Sequence, residues 1–198
     1  STIAARFIVA SKATSLGNGK WSYEYAVQNV NSSRAAGEFR LSLPPGASLS
    51  DVGFHDVASH SGEPYDGTDW PGVVGAYDIT WKTTPYGTNV NANALRWGTM
   101  YNFRFTADVA PVTGQVMLGL FKPATGSQPQ TILGDAVVPD ATVCIGDFNR
   151  DGGFDGSDVV AFFQAWEAGA SAADANNDGG VDGADAQAFY QAWESSSC

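Results

Sequence analysis

The chain has 198 residues, which is enough for one domain or for a domain with a small additional module. Hydrophobic residues make up 43% of it and charged residues 16%, which excludes a chain that is disordered throughout. The 21 Asp and Glu residues outnumber the 10 Lys and Arg residues, and the net charge of −11 argues against a nucleic-acid partner. No apolar run approaches the roughly 18 residues that a transmembrane helix needs, so we predict no transmembrane segment.

Residues 1–139 alternate apolar and polar side chains in short runs, the pattern of half-buried β-strands. Residues 6–10 and 131–138 are further strand candidates, and residues 52–57 are a weaker one. About eight short strands separated by Gly- and Pro-rich turns predict an antiparallel β-sandwich domain over residues 1–139. The alternating positions are Trp21, Tyr23, Tyr25 and Val27; Phe39, Leu41 and Leu43; Val73, Gly75, Tyr77, Ile79 and Trp81; Tyr101, Phe103 and Phe105; and Val116, Leu118 and Leu120.

The loop over residues 55–70 is the most polar stretch of this domain. Its histidines and carboxylates are potential metal ligands, and Tyr65 or Trp70 is a potential platform for a sugar ring. The spacing of the two histidines matches no established site, so an ordered structural loop is the favoured interpretation, with sugar and metal binding as alternatives. No sequence motif of a known catalytic site is present, and we predict no enzymatic activity. The residues considered are His55, Asp56, His60, Glu63, Tyr65, Asp66, Asp69 and Trp70.

Residues 144–198 are strongly acidic and contain an internal repeat. This segment has ten acidic residues and one basic residue, Arg150, for a net charge of −9, whereas the rest of the chain carries −2. Residues 147–167 align with residues 174–194 at an offset of 27, with 14 of 21 positions identical. Because so many carboxylates repel one another in a compact fold, the segment needs a counter-charge, and a metal ion is the obvious one.

Each copy of the repeat begins with a twelve-residue loop that has the ligand spacing of an EF-hand. Such loops supply oxygen ligands from positions 1, 3, 5, 7, 9 and 12, with a glycine at position 6 for the sharp turn. Hard oxygen ligands suit Ca²⁺ better than a thiolate-seeking metal, so we predict two Ca²⁺ ions, with an acidic solvated loop as the alternative. The predicted ligands are Asp147, Asn149, Asp151, Gly153, Asp155 and Asp158 in the first loop, and Asp174, Asn176, Asp178, Gly180, Asp182 and Asp185 in the second.

A helical pattern follows each loop, and none precedes it. Ser157 is predicted to cap the first helix. The apolar stripes are Val159, Phe162, Phe163 and Trp166 in the first helix, and Ala186, Phe189, Tyr190 and Trp193 in the second. A duplicated unit of calcium loop and exit helix resembles the dockerin module over residues 144–198, and Asp at position 12 is usual in that family.

The resemblance implies a small α-helical module with two structural Ca²⁺ ions and a cohesin-like β-sandwich partner. In dockerins the partner is contacted by loop positions 10 and 11 and by the exit helix. The residues expected to form most of the module's core are Phe162 and Trp166 with Phe189 and Trp193. We expect Phe163 and Tyr190, which lie one position off these, to be partly exposed; the alternative is that they complete the core of the module. The positions that correspond to dockerin contacts are Gly156, Ser157, Phe163, Gln164, Gly183, Ala184, Tyr190 and Gln191.

The two cysteines, Cys144 and Cys198, bracket the module. A pseudo-twofold arrangement of the repeats brings its ends together, so we predict a disulfide, with two unpaired thiols as the alternative. A disulfide indicates an extracellular or cell-surface location. The β-domain is also similar, in residues 53–56 and 93–98, to sandwiches of secreted bacterial proteins that carry terminal-Cys dockerin-like anchors.

Three functions are consistent with these patterns. The favoured one is a secreted, non-enzymatic assembly protein whose calcium module docks onto a cohesin-like partner or onto the next copy of the chain. Head-to-tail contacts that do not close would build an extracellular fibre. The second is a module that binds a polysaccharide and is anchored to a cell-surface scaffold by its dockerin. The third is a hydrolase that uses His55 and Asp66.

Overall fold

The computed structural model describes residues 5–44, 46–58, 63–75, 77–141, 144–149, 153–176 and 178–195. The described residues belong to two compact units, Ser1–Leu43 with Ala47–Asp140, and Pro44–Gly46 with Ala141–Cys198. Within this part of the chain, no helix has the length and apolar character needed to cross a membrane. The strands are β1 Phe7–Gly17, β2 Lys20–Asn29, β3 Ala36–Ser42, β4 Leu49–His55, β5 Gly72–Val74, β6 Asp78–Lys82, β7 Met100–Ala107, β8 Pro111–Leu120 and β9 Thr131–Pro139; the helices are α1 Gly156–Glu167, a 3₁₀ turn Ser171–Ala173, and α2 Gly183–Ser195.

The first unit consists of two antiparallel sheets, as the alternating sequence predicts. One sheet has the order β1-β2-β7-β4 and the other the order β5-β6-β3-β8-β9. In β2 the odd-numbered residues Tyr23, Tyr25 and Val27 are buried, and the residues between them are exposed or half-buried. This period of two places one face of the strand in a core that residues of both sheets share.

Aromatic rings fill the space between the two sheets. Phe39 of β3 stacks on Phe103 of β7 with 4.4 Å between ring centroids, so the contact bridges the sheets. Trp81 of β6 packs against Phe103 at 5.5 Å. The hydroxyl of Tyr25 donates a hydrogen bond of 2.9 Å to the carbonyl of Val137, which gives this polar atom a partner. Burial raises the pKa of Tyr25, so the hydroxyl keeps its proton.

One predicted strand is wrong in its extent. Residues 73–81 were predicted to form a single strand, but they form the antiparallel pair β5 and β6 with a turn between them. The amide of Gly75 donates a 2.8 Å hydrogen bond to the carbonyl of Asp78 and closes this turn. Val73 is 61% exposed on the short edge strand, whereas Trp81 is fully buried. The alternation therefore continues across a turn, and the sequence pattern alone does not reveal the reversal.

The turn between β1 and β2 shows why its glycines are present. Gly17, Asn18 and Gly19 have φ angles of +81°, +51° and +71°, in the left-handed region that glycine and asparagine tolerate best. The tight turn allows β1 to pair with β2 along its whole length, from Phe7 with Asn29 to Gly17 with Lys20. As a result β1 is longer than the five residues predicted for it.

The second unit is built from the two repeats, which contact each other through equivalent residues. Phe162 of α1 stacks on Phe189 of α2 with 4.2 Å between centroids and 4° between ring planes. Both side chains are fully buried, and they occupy the same position in the two repeats. Phe163 and Tyr190, another equivalent pair, lie 5.9 Å apart. Contact between equivalent residues indicates a pseudo-twofold relation between the repeats.

Candidate metal centre

The start of α1 is fixed by a carboxylate rather than by a hydroxyl. Asp155 is the N-cap residue, and its side chain accepts a 2.7 Å hydrogen bond from the amide of Ser157. Asp158 completes a capping box by accepting from the amide of Asp155. The prediction that Ser157 caps the helix is therefore wrong, since this residue already lies in the first turn. Its two hydrogen bonds to Asp155 lower the pKa of that carboxyl group.

Two carboxylates, one at position 12 of each loop, are fully buried. Asp158 accepts hydrogen bonds from the amide of Asn149, at 3.1 Å, and from the amide of Asp155, at 2.9 Å. Asp185 accepts from the corresponding amides of Asn176, at 3.1 Å, and of Asp182, at 2.7 Å. Each carboxylate thus ties the third position of its loop to the ninth, with the same geometry in both repeats.

The charge on Asp185 is maintained by these backbone donors. The amide of Asp182 is the main reason that the pKa of Asp185 lies below its usual range, and burial acts in the opposite direction. Residues 144–149, 153–176 and 178–195 include no Lys, Arg or His, and Arg150 lies outside the described residues. Within the described part of the unit, no cationic side chain offsets this buried charge, and an ionised carboxylate is expensive to bury without one.

The second loop has the backbone turn that a calcium loop requires. Gly179 at position 6 has a φ of +90°, which places the sharp turn where an EF-hand-like loop has it. The carboxylate of Asp174 accepts from the amides of Asp178 and Gly179, at 3.1 and 3.0 Å, and Asp178 accepts from the amide of Gly180 at 2.9 Å. The side chains of this loop therefore hydrogen-bond to its own backbone amides.

The first loop is described only in part, because Asp151 and Gly152 lie outside the described residues. Asp147 and Gly153 are half-buried. The side-chain amide of Asn149 donates a 2.6 Å hydrogen bond to the hydroxyl of Ser157, which in turn donates 2.7 Å to Asp155. The second loop has alanine at the position of Ser157, so the two loops differ in this network.

The chemistry of the donor set fits Ca²⁺, although the described ligand side chains do not point to one common centre. Among the described residues, no three His, Cys, Asp or Glu side chains cluster as a metal site. The described ligand positions nevertheless offer only oxygen donors, the type that Ca²⁺ prefers, and each loop presents one buried carboxylate. A bound Ca²⁺ would supply the positive charge that the loop lacks, once side chains such as Asp174 and Asp178 turn away from the amides.

Each helix is linked to the loop of the other repeat. The indole N–H of Trp166, in the last turn of α1, donates a 2.8 Å hydrogen bond to the carbonyl of Asp182 in the second loop. The indole of Trp193 in α2 donates 2.9 Å to the carbonyl of Asp155 in the first loop. Because these carbonyls belong to position 9 of the loops, the repeats are coupled at the predicted ligand positions.

The predicted contact residues are accessible, except that Phe163 is half-buried. Phe163 packs edge-on against Phe162, whereas Tyr190 keeps 39% of its surface exposed. Val160, which was not predicted, is 57% exposed and lies three residues before Phe163, on the same side of α1. Its apolar character at an exposed helix position is the sequence signal that could have identified it. We call Val160, Phe163 and Tyr190 the apolar face of the helices.

The beginning of the second unit lies against the end of α2. Gly146 is buried, and a Cβ atom added to it would come within 2.9 Å of the backbone of Ala192 and 2.8 Å of the ring of Phe154. Cys144 precedes this contact by two residues and is not a free thiol. Cys198 lies outside the described residues, so its pairing with Cys144 stays a prediction. The contact of Gly146 with Ala192 places the start of segment 144–198 beside the last turns of α2.

The described residues of the loop over residues 55–70 do not bring His55 and Asp66 into one cavity, and they leave Trp70 unavailable to a ligand. Trp70 is buried and stacks on Phe54 with 5.6 Å between centroids, so the idea that it stacks on a sugar is wrong. Asp66 accepts a 2.6 Å hydrogen bond from the side chain of Asn89. His55 lines a different cavity from Asp66, and His60 lies outside the described residues.

Comparisons with known proteins add no assignment, since no protein-family model matches the chain and no curated protein matches it significantly.

Proposed function

We propose that the second unit is a dockerin-like calcium module that attaches the β-rich unit to a β-sandwich partner outside the cell. The observation that carries this proposal is the pair of fully buried carboxylates, Asp158 and Asp185, at equivalent positions of two loops. A buried anion in each repeat, with hydrogen bonds from backbone amides and no described basic side chain, is a strong reason to expect a cation. Two Ca²⁺ ions would meet this requirement.

Calcium binding is proposed to order the module before it docks. The loop carboxylates repel one another, and two divalent ions would reduce the segment's net charge from −9 to −5. Because the indoles of Trp166 and Trp193 connect each helix to the opposite loop, an ion in one loop stabilises the position of both helices. Metal binding of this kind contributes directly to folding.

The apolar face of the helices is the proposed docking surface. Its two rings contact each other across the pseudo-twofold relation, and Tyr190 and Val160 remain exposed by 39% and 57%. Exposed apolar side chains of this kind are typical anchors of protein interfaces. The partner is a cohesin-like β-sandwich, or the β-rich unit of the next copy, in which case the chain would form extracellular fibres.

Calorimetric titration of the full chain with Ca²⁺ tests the metal proposal. We expect two sites in the natural chain, and one site in each of the variants Asp158→Asn and Asp185→Asn. Glu194→Gln is the matched control, because Glu194 is an exposed acid of the same module outside both loops. A natural chain that binds no Ca²⁺, or binding that survives in the double variant Asp158→Asn with Asp185→Asn, would contradict the proposal.

Light scattering and electron microscopy with Ca²⁺ and with a chelator test self-assembly. If the next copy is the partner, the protein should grow in size or form fibres in Ca²⁺ and return to monomers in chelator. The double variant Phe163→Ala with Tyr190→Ala should prevent growth and still bind two ions. Loss of calcium binding in this variant would instead show that the two residues belong to the core. A chain that stays monomeric in Ca²⁺ rules out self-assembly and leaves a separate β-sandwich as the partner.

A further inference from the structure

Trp97 has an unusual environment for a tryptophan. The chain has six tryptophans, and Trp97, which is 70% exposed, is the one whose side chain is largely open to solvent. Two others, Trp70 and Trp81, are buried in the core, at 2% and 0%. Indole is the largest side chain and is usually well covered, so an exposed one at the edge of a cleft needs an explanation other than packing.

Trp97 lines a cleft of about 280 Å³ in the β-rich unit. This volume is just below the range of roughly 300–1,000 Å³ that is typical of small-molecule sites, so the cleft suits a compact ligand or one unit of a longer one. The cleft lies between the loop that follows β4 and the loop that precedes β7, and it is also lined by Glu63, Tyr65, Asp66 and Arg96. An aromatic surface is thus combined with several hydrogen-bonding groups.

Two polar side chains of the cleft, those of Asp66 and Arg96, are held in place before any ligand binds. The carboxylate of Asp66 accepts from the side-chain amide of Asn89 at 2.6 Å, which fixes its orientation. Arg96 donates hydrogen bonds of 3.1 and 3.0 Å to the carbonyls of Val90 and Ala92. A ligand that uses these groups therefore meets a largely prepared site, which reduces the entropy lost on binding.

The arrangement of the aromatic rings decides which ligand fits. A quaternary ammonium ion requires several open ring faces around it. Here the guanidinium of Arg96 covers the ring of Tyr65 at 3.6 Å from its centroid, and Tyr101 packs edge-on against Trp70 in the core. The indole of Trp97 therefore remains as a single flat platform, which matches the flat apolar face of a sugar ring.

The carboxylates indicate the character of that sugar. The carboxylate oxygens of Glu63 and Asp66 are hydrogen-bond acceptors, and a neutral sugar ring offers several hydroxyl donors. An acidic sugar would instead bring a third carboxylate close to these two, at an electrostatic cost. Arg96 offsets only part of this cost, because its guanidinium already donates to two backbone carbonyls and covers the ring of Tyr65. We propose that the cleft around Trp97 binds a neutral pyranose unit of a polysaccharide, with the ring stacked on the indole and its hydroxyls hydrogen-bonded to Glu63 and Asp66.

Every residue that lines this cleft belongs to the first unit, and every predicted calcium ligand belongs to the second. The experiment therefore compares binding with and without Ca²⁺. The full chain is run on native gels that contain soluble neutral polysaccharides (galactomannan, xylan, mixed-linkage β-glucan and hydroxyethylcellulose), each with Ca²⁺ and with chelator. We expect at least one polysaccharide to retard the natural chain equally in both conditions. Trp97→Ala should weaken this affinity by about tenfold or more, and Trp97→Phe by less, since phenylalanine keeps part of the ring surface.

Leu133→Ala is the matched control, because Leu133 is 65% exposed on β9 and does not line the cleft. Its retardation should equal that of the natural chain. The proposal is overturned if none of the four polysaccharides retards the protein, if Trp97→Ala is retarded as strongly as the natural chain, or if chelator abolishes retardation. Quenching of tryptophan fluorescence by tetramethylammonium without any polysaccharide binding would overturn it in favour of a cationic ligand. The loss of binding counts only if Trp97→Ala unfolds at the same temperature as the natural chain. We expect this result because Trp97 is 70% exposed.

Discussion

Replacing Phe162 by alanine should make the folding of the second unit dependent on calcium. Phe162 is fully buried and contacts three rings, those of Phe189, Phe148 and Phe163, at 4.2, 5.4 and 5.3 Å. Truncation of a buried phenylalanine to alanine costs about 3–5 kcal/mol. At about 0.05–0.15 kcal/mol per residue, the 55 residues of segment 144–198, which form most of this unit, have a total stability of roughly 3–8 kcal/mol. The substitution therefore removes most or all of the stability of the metal-free unit.

Calcium should restore the fold of this variant by mass action. A ligand present at 100 times its dissociation constant adds about 2.7 kcal/mol per site, so two sites add about 5 kcal/mol, close to what the substitution removes. Hydrogen exchange of the full chain, measured by mass spectrometry, can follow α1 and α2 separately from the strands. We expect Phe162→Ala to lose protection in both helices in chelator and to regain it in Ca²⁺, while protection of β2 and β7 does not change.

Two comparisons make this result decisive. Val160→Ala, two residues earlier on α1, should change stability by less than about 0.5 kcal/mol, because Val160 is 57% exposed. Phe189→Ala should behave like Phe162→Ala, since the two rings stack on each other. If α1 in Phe162→Ala stays as protected in chelator as it is in the natural chain, the aromatic stack does not hold the unit together. If Ca²⁺ fails to restore protection, the ions do not stabilise the folded state.

Three further predictions concern the same unit. Gly146→Ala should destabilise it by about 1–3 kcal/mol in chemical unfolding, because the new Cβ would lie within 2.9 Å of fixed backbone atoms; no loss of stability would show that the segment moves freely. Ser157→Ala removes the hydroxyl that bridges the side chains of the first loop, and calorimetry should show the two calcium affinities becoming more similar, whereas unchanged affinities would mean that this network has no influence on the ion. Peptide mapping of non-reduced protein should recover Cys144 linked to Cys198, and alkylation of both thiols in native protein would refute the pairing.

The sequence predicts the mainly β architecture well where one face of a strand is buried and the other is not. In β2 and β7 the large residues recur with a period of two, and these are the residues that fill the core. The pattern fails over residues 73–81, because a turn of suitable length preserves the alternation while it reverses the chain. Periodicity reports which face a residue occupies only within one continuous strand, and it carries little information on where that strand ends; Val73 is exposed and Trp81 is buried although the alternation assigns them to one face.

Local spacing likewise predicts the loops but not every role within them. The left-handed turn at Gly179 follows from its place at position 6, and the burial of Phe162 and Phe189 follows from their helical spacing. Asp155 and Ser157 are both good helix caps, and the choice between them depends on the bond from the amide of Asp155 to Asp158, which fixes the first turn.

What the sequence alone determined are the features that depend on near neighbours: alternating strands, the duplicated loop and helix, and the acidic charge of residues 144–198. What only the tertiary structure decided are the features that depend on distant parts of the chain. The sequence points to Trp70 and not to Trp97 as a platform for a sugar ring, yet Trp70 packs against Phe54 and Tyr101 while Trp97 is left exposed. Burial is decided by which residues the fold brings into contact, and those residues lie outside any local pattern.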